Sequence, residues 1–140
     1  MVHALEEAWR VLKPDGLLID LRPAMEHRRV GIMTSQGKQQ LGVMRERFAD
    51  DIVANRAIAR AVRRGLFRRV RRDRVECLRT MDTLKEFRRW LADYVSLDKL
   101  PPHVRLTERI EAALEENDEP AKIFVDGPLD LTVLARCDTR

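Results

Sequence analysis

The side chains able to do acid–base, nucleophilic or metal chemistry are few and scattered. His3, His27 and His103 lie far apart, and no His or Cys stands at a ligand-like offset from another. A closed zinc site takes four such donors, so no metal is expected. No Ser or Cys sits in a nucleophile-elbow context. The arginines around Cys77 could lower its pKa, yet the setting reads as a buried structural thiol. Arg22, His27 and Arg28 follow the apolar run Leu17 to Leu21. That is the C-terminal end of an expected strand, the side on which open α/β sheets bind ligands. These three are candidate acceptor-side contacts, with a solvated loop as the alternative. From Arg56 to Arg79, ten arginines stand against Asp73 and Glu76, a local balance of +8. Such density could track a phosphate backbone, with Arg68, Arg69, Arg71 and Arg72 as the nucleic-acid contacts. Phe67 is the one aromatic in that segment for stacking on bases, and a solvated helix face and strand edge competes.

The elements that must position these groups are legible from periodicity. Leu5, Ala8, Trp9 and Leu12 share one face of a helix expected from His3 to Lys13, which Pro14-Asp15-Gly16 stops. Leu17 to Leu21 is a mostly apolar run, the pattern of a strand covered on both faces. Val30 and Ile32, then Leu41 and Val43, predict two strands around a Ser35-Gln36-Gly37 turn. A helix is expected from Asp50 to Leu66 with Ile58, Val62 and Leu66 as its stripe. Asp50 and Asp51 sit at its positive end, Arg63 and Arg64 at its negative end, and Gly65 at its close.

Phe67 to Arg79 reads as an Arg-rich strand. Thr83 and Glu86 form a capping box for a helix whose core stripe is Leu84, Phe87, Leu91 and Val95, with Trp90 and Tyr94 alongside. Pro101-Pro102 breaks the chain before a last helix, Leu106 to Glu116, carrying Ile110 and Leu114. Two strands, Ile123 to Val125 and Leu129 to Leu134, are expected to flank an Asp126-Gly127-Pro128 turn.

The 140 residues are 44% hydrophobic and 36% charged, which suits one globular α/β domain rather than a disordered chain. No apolar run approaches the roughly 20 residues a membrane span needs. The two cysteines, Cys77 and Cys137, are too few to staple the domain and fit a cytoplasmic setting. Formal net charge is +4, with 22 arginines and five lysines. This basic balance permits a nucleic-acid partner, which is not the favoured reading, because arginine codons are GC-rich and genome composition alone can produce the bias.

The stretch Ala4-Leu5-Glu6-Glu7-Ala8-Trp9-Arg10-Val11-Leu12-Lys13-Pro14-Asp15-Gly16-Leu17-Leu18-Ile19-Asp20 resembles a segment of class I S-adenosylmethionine-dependent methyltransferases. There a helix of the type L-x-E-x-x-R-V-L-K-P-G-G leads through a glycine turn into the fifth strand of the sheet. Asp15 replaces the first of those glycines, and Asp also tolerates turn conformations. The resemblance implies the C-terminal strands of a partial Rossmann-like sheet with packed helices.

It also implies an absence. In that family the donor is held by a Gly-rich turn after the first strand, an acidic residue ending the second, and contacts after the fourth. Gly16, Gly31, Gly37, Gly42, Gly65 and Gly127 include no G-x-G pair. S-adenosylmethionine, the cofactor implied for a full-length relative, is therefore not expected to bind this chain alone, nor is methyl transfer. Met1 fits both a truncated reading frame and a natural half-protein. The expected partner is a complementing N-terminal half or a second copy. A non-catalytic binding or interaction module is the alternative.

Overall fold

The computed structural model describes residues 2–98 and 104–138. The order is α1 (Val2–Val11), β1 (Leu17–Pro23), β2 (Arg28–Thr34), β3 (Gly37–Met44), α2 (Ala49–Arg63), β4 (Phe67–Met81), α3 (Leu84–Asp98), α4 (Val104–Glu115) and β5 (Lys122–Arg136). The strands form a five-stranded sheet, ordered β1-β5-β2-β3, with β4 also paired to β5. The β1–β5, β2–β3 and β2–β5 pairs are all antiparallel. The fold is thus mixed α/β, and these antiparallel pairs do not match the parallel strands of a classic Rossmann sheet. Parallel neighbours need a crossover of a dozen or more residues, whereas the two-residue turn from β2 to β3 can only fold back. The chain divides into two compact units, Met1–Met25, Phe48–Val75 and Leu129–Arg140 forming the first, Glu26–Arg47 and Glu76–Pro128 the second.

In the first unit, α1 and α2 pack on one face of the β1–β5 ladder. Ile58, Ala61, Phe67 and Leu134 form the buried centre, with Leu5, Ala8, Trp9, Leu12, Leu18, Val62 and Leu66 around it. The expected α1 face is thus the packed one. The α2 stripe is built as much from alanines (Ala54, Ala57, Ala61) as from Ile58, which lets the helix sit close to its neighbours. After α1, Asp15 takes a left-handed φ of 59° and the Gly16 amide donates to Lys13 O at 2.8 Å. A Cβ on Gly16 would lie 2.8 Å from that same oxygen, so glycine is required there. The turn is then pinned from the far end of the chain. Trp9 Nε1 donates to Cys137 O at 2.9 Å, and the Arg136 guanidinium lies 4.7 Å from the Trp9 ring centroid and donates to Leu12 O. Gly65, at φ +74°, closes α2 as expected.

In the second unit, Val30, Ile32, Met44, Met81, Phe87, Leu91, Leu106, Ile110, Ile123 and Val125 make the core. Half of the capping box of α3 forms, the Glu86 amide donating to Thr83 Oγ1, while Glu86 Oε2 accepts from the amide of Asp82, one residue before the cap. Pro101-Pro102, His103 and the side chain of Val95 lie outside the described residues.

Two strand expectations are corrected. On β3, Met44 rather than Val43 is buried. The ladder shifts between Val30 and Gly31, pairing them with Gly42 and Gln40, so Leu41 is an extra residue and the strand's inside and outside exchange there. At the other end, Asp126-Gly127-Pro128 is not a turn but the middle of the 15-residue β5. Gly127 and Pro128 fall between the residues paired to β2 and those paired to β1, so the missing proline N–H interrupts neither ladder.

Candidate functional site

β1 is where composition and environment disagree most. Leu18, Asp20 and Arg22 alternate toward the helices. Leu18 joins the core, and Arg22 grips Asp20 through two nitrogens, Nε to Oδ1 at 2.9 Å and Nη2 to Oδ2 at 2.8 Å. Leu17, Ile19 and Leu21 point the other way and are 55%, 64% and 54% exposed. Their ladder partners are Ala135, Val133 and Leu131, so the same side of two strands is apolar. Both helices of this unit pack on the opposite side. Among the described residues β1 pairs with β5 alone, so its outer edge is open. The expectation of a strand covered on both faces is therefore corrected: the edge of β1 is open and its outward side chains are exposed, although across the ladder Ala135 is buried and Val133 and Leu131 are half-buried.

The three acceptor-side candidates fall in different units. Arg22 belongs to the first, where besides Asp20 it donates to Asn55 Oδ1 at 2.8 Å. His27 and Arg28 belong to the second and converge on Glu46. The Glu46 amide donates to His27 Nδ1 at 3.1 Å, which leaves the proton of neutral His27 on Nε2. Arg28 Nε lies 3.2 Å from Glu46 Oε1, which also accepts the Tyr94 hydroxyl, while the Arg28 guanidinium sits 5.2 Å from the Tyr94 ring centroid. The Glu46 side chain is 10% exposed, and its Oε2 has no hydrogen-bond partner among the described residues. Sequence reasoning missed Glu46 and Tyr94. Glu46 sits between Arg45 and Arg47 in a polar link that gives no sign of burial, and Tyr94 reads as one more apolar face residue.

Arg68, Arg69, Arg71 and Arg72 all stand exposed on β4, whose only described partner strand is β5. Arg71 pairs with Asp73, and Arg72 and Arg74 lie 3.6 and 3.4 Å from the carboxylate of Asp130. Cys77 is exposed on the same strand, which corrects the expectation of a buried thiol: β4 buries only its two ends, Phe67 and Met81, and Cys77 lies in the exposed stretch between them. No group of three metal-ligating side chains occurs among the described residues. No described helix is long and apolar enough to cross a membrane.

A groove of about 510 Å³ opens between the β2–β3 turn and the residues after α4, walled by Thr34, Lys38, Gln39, Asn117 and Glu119. Ser35 Oγ and Gln36 Nε2 already bond to Glu119, at 2.7 and 3.3 Å.

Among the described residues no glycine turn leads from a strand into a helix to receive a nucleotide-like methyl donor. Such a ligand needs a glycine turn leading from a strand into a helix, where backbone amides can approach it. The two described strand-to-helix links, residues 45–48 and 82–83, contain no glycine. Gly31 and Gly42 are instead consumed by close packing, against Gln39 O and the Leu106 side chain. No family model, curated protein or solved structure matches the chain.

Proposed function

We propose that this chain is the C-terminal part of a class I S-adenosylmethionine-dependent methyltransferase. It serves as scaffold for a donor-binding half and transfers no methyl group alone. The observation carrying the reading is β1. Leu17 to Leu21 has the composition of an interior strand, yet Leu17, Ile19 and Leu21 are exposed and the outer edge is open. A second copy pairing edge to edge would leave that face bare, and one stacking face to face would leave the edge unpaired. A partner supplying both a strand and a layer above it covers both, as the other half of an open α/β sheet would. The antiparallel β1–β5 pair is compatible with that reading if β1 is the last parallel strand of the completed sheet, since an otherwise parallel doubly wound sheet can end in antiparallel pairing. The α1–Pro14-Asp15-Gly16–β1 geometry adds support, since Asp15 adopts the left-handed conformation that a glycine would otherwise supply.

Titration calorimetry of the chain with millimolar S-adenosylmethionine should give no saturable heat. A micromolar dissociation constant, about −8 kcal/mol, would overturn the division of labour. The DNA preceding the Met1 codon, or a neighbouring gene, should encode a strand, a G-x-G-x-G turn and a helix. Joining that segment to the chain should create donor binding, and a folded, monomeric fusion indifferent to the donor would sink the reading.

A further inference from the structure

We infer that the Arg68–Arg74 stretch of β4 is a docking surface for the phosphate backbone of nucleic acid, read without regard to base sequence. The first observation is how charge is divided. The unit made of Met1–Met25, Phe48–Val75 and Leu129–Arg140 holds 14 Lys and Arg against nine Asp and Glu, a balance of +5. The other unit holds 13 against 14, a balance of −1. A GC-rich genome would account for the cations being arginines, but it gives no reason for the whole excess to sit in one unit.

The second observation is placement. Within Arg68–Arg74 only Asp73 and Val70 interrupt the arginines, and every residue but Asp73 is exposed. Because successive strand residues point to opposite sides, arginines project both above and below the strand. Edge strands often carry a charge that discourages pairing with other strands, and one or two suffice, whereas five arginines stand here. Arg68 and Arg69 make no ion pair among the described residues, unlike Arg71, Arg72 and Arg74. The pairs of Arg71, Arg72 and Arg74 are solvent-exposed, worth at most about 1 kcal/mol each, and exchangeable for phosphate. Guanidinium is the better phosphate ligand of the two cations, because its planar fork bonds two oxygens at once.

The third observation sets the mode. The exposed residues of this stretch include no aromatic side chain to stack on a base, so contact is to the backbone alone. This surface lies wholly within one unit and does not depend on the methyltransferase reading.

The test is fluorescence anisotropy of a labelled 20-base-pair DNA duplex with the full chain, across a salt series. Five phosphate contacts predict a log–log slope of about −4 to −5, a several-hundred-fold loss between 50 and 200 mM salt. Scrambling the duplex sequence should change nothing. Arg68→Glu with Arg69→Glu should weaken binding more than tenfold, while Arg68→Lys with Arg69→Lys should retain most of it. Both positions are exposed, so circular dichroism should match wild type. Lys85→Glu with Arg89→Glu on α3 changes net charge equally and should leave binding within about threefold. Absence of binding at 50 mM salt, an equal loss in the α3 control, or capture by phosphatidylserine vesicles but not by DNA would each overturn the proposal.

Discussion

Ile19 stands directly opposite Val133 across the β1–β5 ladder, on the side of the sheet away from α1 and α2, while its neighbour Leu18 stands opposite the fully buried Leu134. One residue step therefore separates core from open surface. Ile19→Lys should change the stability of the isolated chain by no more than about 1 kcal/mol, the span of strand preference. Leu134→Ala should cost about 2–5 kcal/mol. Urea unfolding of both variants measures the contrast. Alone at high concentration the wild-type chain should self-associate through this face and edge, and Ile19→Lys should shift it toward monomer in light scattering after size exclusion. A wild-type monomer at every concentration would mean that the face needs no cover.

Gly31 is held by contact rather than by conformation. A Cβ there would fall 1.9 Å from Gln39 O and 2.9 Å from the Phe124 ring. Gly31→Ala must push the two strands apart at the bulge, and we expect a loss of about 3 kcal/mol or more, in the range of severe overpacking. Gly37→Ala is the control: its φ of 129° disfavours a side chain, but nothing crowds it. It should cost less, and equal losses would contradict the packing account.

Much of this was legible in the sequence because it is local. The α1 face, the Thr83 cap, the Gly65 stop and the Ser35-Gln36-Gly37 turn all follow from spacing within a few residues. What failed was non-local. The Leu41 bulge, which hands burial to Met44 instead of Val43, is visible only once β2 lies beside β3. The Asp126-Gly127-Pro128 triplet carries turn chemistry but is drawn straight by its neighbours. Lys38 and Arg29 bind Asp126 at 3.2 and 3.4 Å, and Arg28 packs where a Gly127 side chain would be. The apolar run of β1 suits a doubly covered strand, but composition reports what a strand is suited to, not what lies next to it.

Arg64 donates a hydrogen bond to Glu6 and holds its carboxyl below the usual glutamate value of 4.5, with His3 adding to the effect. A depressed carboxyl pKa contributes stability that is present above the unfolded value and lost as pH falls through the folded one. Between pH 7 and pH 3 the wild-type melting temperature should therefore fall more than that of Arg64→Gln. The difference should shrink in 1 M NaCl, since both side chains are reached by solvent. Parallel acid profiles would show that the pair contributes nothing measurable to folding.

Glu46 is the most consequential polar residue of the second unit, because two partners depend on one of its oxygens. Arg28 lies against Oε1, and the Tyr94 hydroxyl donates to it, while Oε2 is buried without a partner among the described residues. Removing a nearly buried carboxylate strands what it held, so Glu46→Ala should cost about 3–5 kcal/mol. Glu46→Gln keeps an acceptor for Tyr94 and offers an amide nitrogen in place of one carboxylate oxygen, but loses the charge opposite Arg28, and should fall between. Tyr94→Phe deletes one hydroxyl and should cost about 1.5–3 kcal/mol, the range for a hydrogen bond to a charged group. The decisive measurement is a double-mutant cycle by urea unfolding with Arg28→Met and Glu46→Gln. If the Glu46 carboxylate holds Arg28, the coupling should exceed about 1 kcal/mol. Additive losses would mean that Arg28 is held by the Tyr94 ring and Gly127 rather than by the carboxylate.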